Sequence, residues 1–314
     1  MPSPAARTPS ASSNERANPR QFHHSSYPAR RIASARARRG LSVSVCLPAR
    51  ECARTVGEIV QQLEGLRAEG ALDEIVVVDA ASADGTAAVA RRAGARTYQE
   101  AELMPAYGPV LGKGDAMWRA LSVLGGELVC FVDADTEGFS PHFVCGLLGP
   151  LLCEPGVSFV KACYRRPIAV GEQLLADGGG RVNQLLARPA LELFYPQLAA
   201  LRQPLAGEVA ARRALLERVP FATGYGVEIA MLIDAWREVG LDGIAQVDLE
   251  EHHNRHQPLS ALGPMALTVL ATIAVRMERE GRLAGLAGAV ASNGASARAH
   301  APVERPPRIA VGVA

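Results

Sequence analysis

The sequence predicts an α/β fold, a sheet flanked by helices. Short apolar runs alternate from Leu41 onward with stretches whose apolar residues recur every three or four positions, the signature of strand-helix winding. The runs Val43–Leu47, Ile75–Val78 and Leu128–Val132 are apolar throughout but for Ser44, as buried strands are. They end at Pro48, Asp79 and Asp133, and in open α/β sheets ligands gather at such carboxyl ends.

The elements follow in order. After the first strand, Val56, Ile59, Val60 and Leu63 predict a helix from Arg54 to about Leu66. Ile75–Val78 is the second strand, and Ser82-Ala83-Asp84-Gly85-Thr86 is a turn opening an Ala-rich helix that stops near Gly94. Ala95–Tyr98 reads as a third strand. The loop Gly112-Lys113-Gly114 precedes a helix from Asp115 to about Leu124, and the next strand delivers Asp133-Ala134-Asp135. The second half holds a strand from Ser158 to Tyr164, the cluster Gly178-Gly179-Gly180, and helix-like stretches near 183–201, 226–239 and 260–280. The expected organisation is a nucleotide-binding half over 41–170 and an acceptor-binding, helical half over 171–284.

The ends read differently. Residues 1–40 carry eight Arg and one acid with no periodic apolar pattern, and are expected to be a disordered basic tail. The stretch 285–314, rich in Gly, Ala and Ser and then Pro, is expected to be weakly structured. With that first segment set aside, the remainder has 25 basic against 31 acidic residues, which gives no support to nucleic-acid binding. The six cysteines form no C-x-x-C pair and sit mostly in apolar runs, which favours buried thiols in a reducing, cytoplasmic setting over disulfides or zinc. The longest apolar candidate, Met265–Val275, contains Thr268 and Thr272 and is followed by Arg276 and Glu278, so no membrane span is expected.

Chemistry concentrates at a few positions. Asp133 and Asp135, one residue apart at a strand end, suit a divalent cation such as Mg²⁺ or Mn²⁺ that keeps positions free for diphosphate oxygens. An Asp in a post-strand turn is the structural alternative. Asp79 can accept from a nucleoside or merely shape its turn. Lys113 is one of two lysines among 31 arginines, and between glycines before a helix it suits a diphosphate. Arg165, Arg166 and Arg181 suit a phosphate or carboxylate on a small acidic acceptor, against solubilising Arg at element ends. Glu228, just past Gly224-Tyr225-Gly226, either orients a hydroxyl or complements a helix dipole. Three of seven histidines fall within His252–His256, a run that can offer an imidazole to the same cation or form a polar surface loop. The chain has no G-x-x-x-x-G-K-[ST] loop, no G-x-G-x-x-G after a strand and no G-x-S-x-G elbow.

Taken together, Leu47-Pro48-Ala49, Gly112-Lys113-Gly114, Phe131-Val132-Asp133-Ala134-Asp135, Tyr164-Arg165-Arg166-Pro167, Gly179-Gly180-Arg181-Val182, Gln203 through Glu208, Gly224 through Glu228 and Arg255 through Leu259 resemble glucosyl-3-phosphoglycerate synthases. The similarity runs from about Ser42 to Met277. That family consists of retaining glycosyltransferases of GT-A fold, with a mixed sheet, which move glucose from UDP-glucose to 3-phosphoglycerate and commonly form homodimers. The resemblance implies that Pro48, Ala49, Glu51, Asp79, Lys113, Asp133 and Ala134 surround the sugar nucleotide. It implies that Arg165, Gly180, Arg181, Asn183 and Arg255 hold 3-phosphoglycerate. Leu205 and Glu228 would approach the transferred glucose, and Asp135 would ligate the metal. The apolar helix around Leu267–Val275 would serve the dimer.

The chain departs from the family pattern at Arg50, which replaces an Asn, and at Asp79-Ala80-Ala81-Ser82, which replaces Asp-Ser-Gly-Ser. Asn183 replaces a Thr, and Asn254 stands where the metal-binding His is expected, with His253 and His256 beside it. His253, Asn254 and His256 are therefore all candidates for the second metal ligand, and an adjacent His is the better one. Two other functions stay open: a glycosyltransferase using GDP-mannose or another acceptor, such as a lipid phosphate, and a sugar-nucleotide-binding protein without turnover.

Overall fold

The computed structural model describes residues 18–170, 173–175, 178–253, 257–284 and 302–311. The winding read from the sequence is present as β2 (Val43–Ala49), α2 (Val56–Ala68), β3 (Glu74–Asp79), α3 (Thr86–Ala93), β4 (Arg96–Gln99), α4 (Lys113–Ala120) and β5 (Leu128–Phe131). It is preceded by β1 (Arg20–His23) and α1 (Ala29–Arg39). Further along come α5 (His142–Cys153), β6 (Phe159–Arg165), the small hairpin β7 (Ile168–Val170) and β8 (Gln173–Leu175), and α6 (Arg188–Phe194). The chain continues through β9 (Val209–Arg212), α7 (Arg213–Leu216), β10 (Phe221–Ala222), α8 (Val227–Val239), β11 (Ile244–Glu251), α9 (Leu259–Arg279) and β12 (Glu304–Arg305).

Eight strands form one sheet in the order β1-β11-β6-β9-β5-β2-β3-β4. β9 alone runs antiparallel to its neighbours β5 and β6; every other pairing is parallel. The sheet is therefore mixed, and helices cover both faces, the GT-A arrangement. In β2, Val43, Val45, Leu47 and Ala49 face a core shared with α1, α2 and α5, whereas Cys46 faces the opposite core. β5 divides likewise, with Leu128 and Cys130 on the first side and Val129 and Phe131 on the second, packed with α4, α6, α8 and α9. Two-sided burial is why these strands read as nearly continuous apolar runs.

Four expectations need correction. Residues 20–39, expected within a disordered tail, belong to the folded body: β1 pairs with β11, and Tyr27, Ile32 and Ala35 are buried. The Tyr27 ring lies on Gly149 of α5, where a Cβ would approach it to 2.1 Å. The sequence hid this segment because its few apolar residues are spread among Arg and His. Residues 302–311 are likewise built in, with β12 pairing β10 and Trp118 Nε1 donating to the Pro306 carbonyl at 2.8 Å. Residues 1–17, 285–301 and 312–314, where the same tail readings apply, lie outside the described residues.

The stretch 183–201 is not one helix. A π-helical turn, Asn183–Ala187, leads into α6, and a 3-10 turn, Pro196–Leu198, follows. Pro189 has no N–H for Leu185, which widens the first turn, and Pro196 closes the helix. Finally, α9 is long and apolar enough to cross a membrane by length and composition, contrary to the expectation of no such run. Its Gly, Ser, Thr and Pro interrupt the apolar sequence without making it polar. Val269, Ile273 and Arg276 on one side of α9 are nonetheless buried in the protein.

Candidate active site

The carboxyl ends of β2, β3 and β5 and the amino end of antiparallel β9 meet at one edge of the sheet. Asp133 follows β5 and faces Gly207, whose Cβ position lies 2.1 Å from Asp133 Oδ2, so only glycine leaves room for this carboxylate. Lys113 opens α4. Gly112 takes φ +88°, and Gly114 lies so close to the Ala222 carbonyl that a Cβ would sit 1.9 Å from it. The two glycines thus seat the helix start, and Lys113 Nζ lies 2.5 Å from Asp133 Oδ1 and 3.0 Å from Glu228 Oε1 of α8. Burial pulls the Lys113 pKa down, but Asp133 and Glu228 outweigh it and hold the ammonium well above its ordinary range.

The Asp135 side chain is exposed on the floor of the cleft. Burial of its surroundings and then the Asp133 charge push its pKa up, which is the condition a bound cation would relieve. Ala134 between them is buried, and its carbonyl accepts from Thr55 Oγ1 at 2.6 Å, which fixes the turn.

Beneath the two aspartates lies a buried polar cluster that the sequence did not reveal. His252 Nε2 is 2.8 Å from Glu208 Oε1 and 3.1 Å from Thr136 Oγ1, while Tyr164 Oη donates to Glu208 Oε2 at 2.7 Å. The Tyr164 and His252 rings stack at 4.5 Å, and Thr136 Oγ1 donates to the Asp133 carbonyl at 3.2 Å. Burial works against charge on both partners, but their mutual attraction prevails, raising the His252 pKa and depressing that of Glu208. His252, read in sequence as part of a possible metal-binding run, is therefore committed to Glu208. His253 is exposed, 3.4 Å from Glu251 Oε2, and its carbonyl accepts from the Glu137 N–H at 2.9 Å, two residues past Asp135. Asn254, Arg255 and His256 lie outside the described residues.

Two clefts open from this floor and share Lys113, Asp133, Asp135, Tyr225 and Gln257 as lining. The first, of about 510 Å³, runs past Pro48, Ala49, Arg50, Ala80 and Ala134. Behind it, Asp79 Oδ2 accepts from Gln99 Nε2 at 2.9 Å, whereas its Oδ1 is buried without a hydrogen-bond partner. That free acceptor suits a ligand donor. Glu51 is otherwise engaged: its Oε1 accepts from Ala83 N at 2.8 Å, joining the loops after β2 and β3.

The second cleft is lined by Arg166, Gly180, Arg181, Asn183, Leu205 and Glu228, with Leu262, Met265 and Val269 of α9 as an apolar wall. Asn183 is buried. Its Nδ2 donates to the Arg202 carbonyl at 3.0 Å and its Oδ1 accepts from Leu205 N at 3.3 Å, so it braces the Leu205 loop. Arg181 reaches the Gln257 carbonyl at 2.6 Å. Arg165, expected beside Arg181, lines a different pocket with Arg188 and Arg202 and pairs with Glu251 at 2.9 Å. Arg166 stands just past the end of β6, and it rather than Arg165 lines the cleft.

A profile of glycosyl transferase family 2 matches residues 44–195. Glucosyl-3-phosphoglycerate synthase of Petrotoga mobilis is 40% identical over 267 residues, covering 84% of this chain and 82% of that protein. The Mycobacterium tuberculosis enzyme of that name is 42% identical over 243 residues, covering 76% and 75%. Among solved structures, mannosyl-3-phosphoglycerate synthase from Rubrobacter xylanophilus superposes with TM-score 0.83 at 44% identity, over 93% of this chain and 97% of that one. Glucosyl-3-phosphoglycerate synthase from M. tuberculosis, in complex with Mn²⁺, UDP-glucose and phosphoglyceric acid, gives TM-score 0.78 at 36% identity, over 94% and 99%.

Proposed function

We propose, from the premise that this chain belongs to the glucosyl-3-phosphoglycerate synthase family and is a glycosyltransferase, that it moves glucose from UDP-glucose to 3-phosphoglycerate with a divalent cation held at Asp135. The observation that carries this reading is Lys113, fixed between Asp133 and Glu228 where the two clefts meet. On this reading the nucleotide occupies the cleft of Pro48 and Ala49, with Asp79 Oδ1 accepting from the nucleoside. The acceptor phosphate or carboxylate meets Arg166 and Arg181 beside Gly180, and Leu205 limits the space around the sugar.

The residues present fit the cation. Asp135 offers an exposed carboxylate whose charge is disfavoured by Asp133, and hard oxygen donors suit Mg²⁺ or Mn²⁺. Bound there, the cation would offset charge on the leaving diphosphate. Lys113 adds a fixed positive charge on the same side, which favours the departing UDP over the bound substrate. Glu228, already ion-paired to Lys113, orients groups rather than forming a covalent adduct, and transfer proceeds on one face with retention. His253 or His256 completes the cation site in place of Asn254. Residues 41–170 serve the nucleotide sugar and 171–284 the acceptor, in a cytoplasmic homodimer.

The test is release of UDP from UDP-glucose with 3-phosphoglycerate, with Mn²⁺ or Mg²⁺ and with chelator, and product mass. Expected are acceptor- and metal-dependent release, a glucosylated product, and a fall of at least about a hundredfold in kcat/KM for Asp135→Ala, on the scale of losing one strong transition-state contact. The likeness to the Rubrobacter mannosyl enzyme supports a second reading, with GDP-mannose as donor. GDP release outpacing UDP release would select it. Nucleotide binding without release from either donor would point to a binding protein.

A further inference from the structure

Away from the cleft, at the outer end of β1 and β11, His23, His24 and Glu250 bring one ligand atom each to within 4.8 Å of one another. β1 ends at His23 and a 3-10 turn starts at His24, so the two rings, which an extended strand would send to opposite faces, lie side by side at 4.5 Å. His24 Nε2 is 3.2 Å and His23 Nε2 is 3.8 Å from Glu250 Oε1. Ligands on a tetrahedral zinc, at bond lengths of about 2.0–2.1 Å, stand about 3.4 Å apart, so the two imidazole–carboxylate separations bracket the coordination distance, while the three atoms as a set lie within 4.8 Å.

Further observations single out the cluster. Glu250 holds φ +68°, unusual for a non-glycine residue, at an irregularity in the β11 ladder, and its N–H donates to Asp248 Oδ1 at 2.9 Å. Such a bulge re-aims a side chain, here toward the imidazoles. His24 Nε2 is buried, and the polar atom it faces is Glu250 Oε1 at 3.2 Å. His23 Nδ1 accepts from the Ser25 N–H at 3.3 Å and lies 2.8 Å from Ser25 Oγ, so ligation through Nε2 moves the ring proton to Nδ1, which then donates to Ser25 Oγ in exchange for the backbone contact. His142 stacks on His24 at 4.4 Å, but its nitrogens already meet Ser140 Oγ and the Leu249 carbonyl, so it walls the site without ligating.

We propose that His23, His24 and Glu250 form a second metal site, for a borderline ion such as Zn²⁺, distinct from the oxygen-donor site at Asp135. Two imidazoles and one carboxylate leave a position for water. The bound ion ties the edge strand β1 to β11 two residues before His252, and so braces one wall of the active cleft. The site rests on its own residues and stands whichever sugar donor the enzyme uses.

Zinc stoichiometry and affinity, by equilibrium dialysis of the full chain in an Asp135→Ala background, test this, with the visible spectrum of the Co²⁺-loaded protein as a second readout. One ion per chain is expected. It should weaken at least tenfold in both His24→Gln and Glu250→Gln, since losing an outer-shell partner already costs about 10- to 100-fold. Unchanged circular dichroism confirms folding, and either variant suffices if the other fails to fold. Absence of bound zinc at micromolar concentration, or zinc binding undiminished in both variants, overturns the site.

Discussion

Lys161 is the other lysine of this chain, and it is fully buried in β6 with Nζ donating to the Ala206 carbonyl at 2.6 Å. Burial pushes its pKa down to about 8, Lys113 adds to the fall, and Glu228, Glu208 and Asp133 only partly oppose it. Because the folded pKa lies below the unfolded value of 10.5, the unfolded chain binds more protons between pH 8 and 10.5, and stability rises with pH across that window. Lys161→Met removes the buried charge. It should stabilise the fold at pH 7 by about 2 kcal/mol, set by the pKa shift less the lost hydrogen bond. The advantage should fade by pH 10, as measured by denaturant unfolding at several pH values. A stability difference flat with pH would show that Lys161 is not the titrating group. Lys113, by contrast, was legible as a functional residue because its flanking glycines carry the geometry: each permits a backbone approach that a side chain would block.

At the scale of elements, the ends of the chain support the site from a distance. Asp115 on α4 is buried, and Arg305 Nε and Nη2 reach its carboxylate oxygens at 2.7 and 2.6 Å, with Arg119 on the same group at 3.0 Å. The segment after α9 thus clamps the helix that presents Lys113. At the other end, Tyr27 and Ile32 are buried in the core beside α5, and each such side chain contributes about 1.5–3 kcal/mol. Deleting residues 1–40 should therefore lower stability by about 4 kcal/mol or more, a large share of a typical domain's total, and yield aggregation or a much reduced melting temperature. A truncated protein melting with the full-length one would restore the tail reading. Neither segment announced itself in sequence, because side chains in each find partners some 100 or more positions away, as Arg20 Nη2 does with Glu154 at 3.0 Å.

For the whole molecule, the sheet edge concentrates chemistry because parallel strands all deliver their carboxyl ends there, and β9 alone brings its amino end and Glu208 to the same place. α9 walls the second cleft with Leu262, Met265 and Val269 and leaves Leu259, Leu267 and Leu270 exposed outside it. A homodimer through that face would cover it. Light scattering should then give a dimer for the native chain and a monomer for Leu267→Glu/Leu270→Glu. A native monomer at micromolar concentration would discard the dimer and leave the exposed face unexplained.

The sequence by itself determined the α/β winding, the strand ends at Pro48, Asp79 and Asp133, and the pairing of Lys113 with a glycine-framed helix start. These are local: an apolar run, a turn and a glycine report on their immediate neighbours. Only the tertiary structure decided that Arg166 rather than Arg165 faces the cleft, that Asn183 braces Leu205, and that His252 is held by Glu208. Arg166 lies in the loop just past β6, where no periodicity fixes a side chain's direction, and a buried ion pair joins positions 44 residues apart, so neither leaves a periodic trace along the chain.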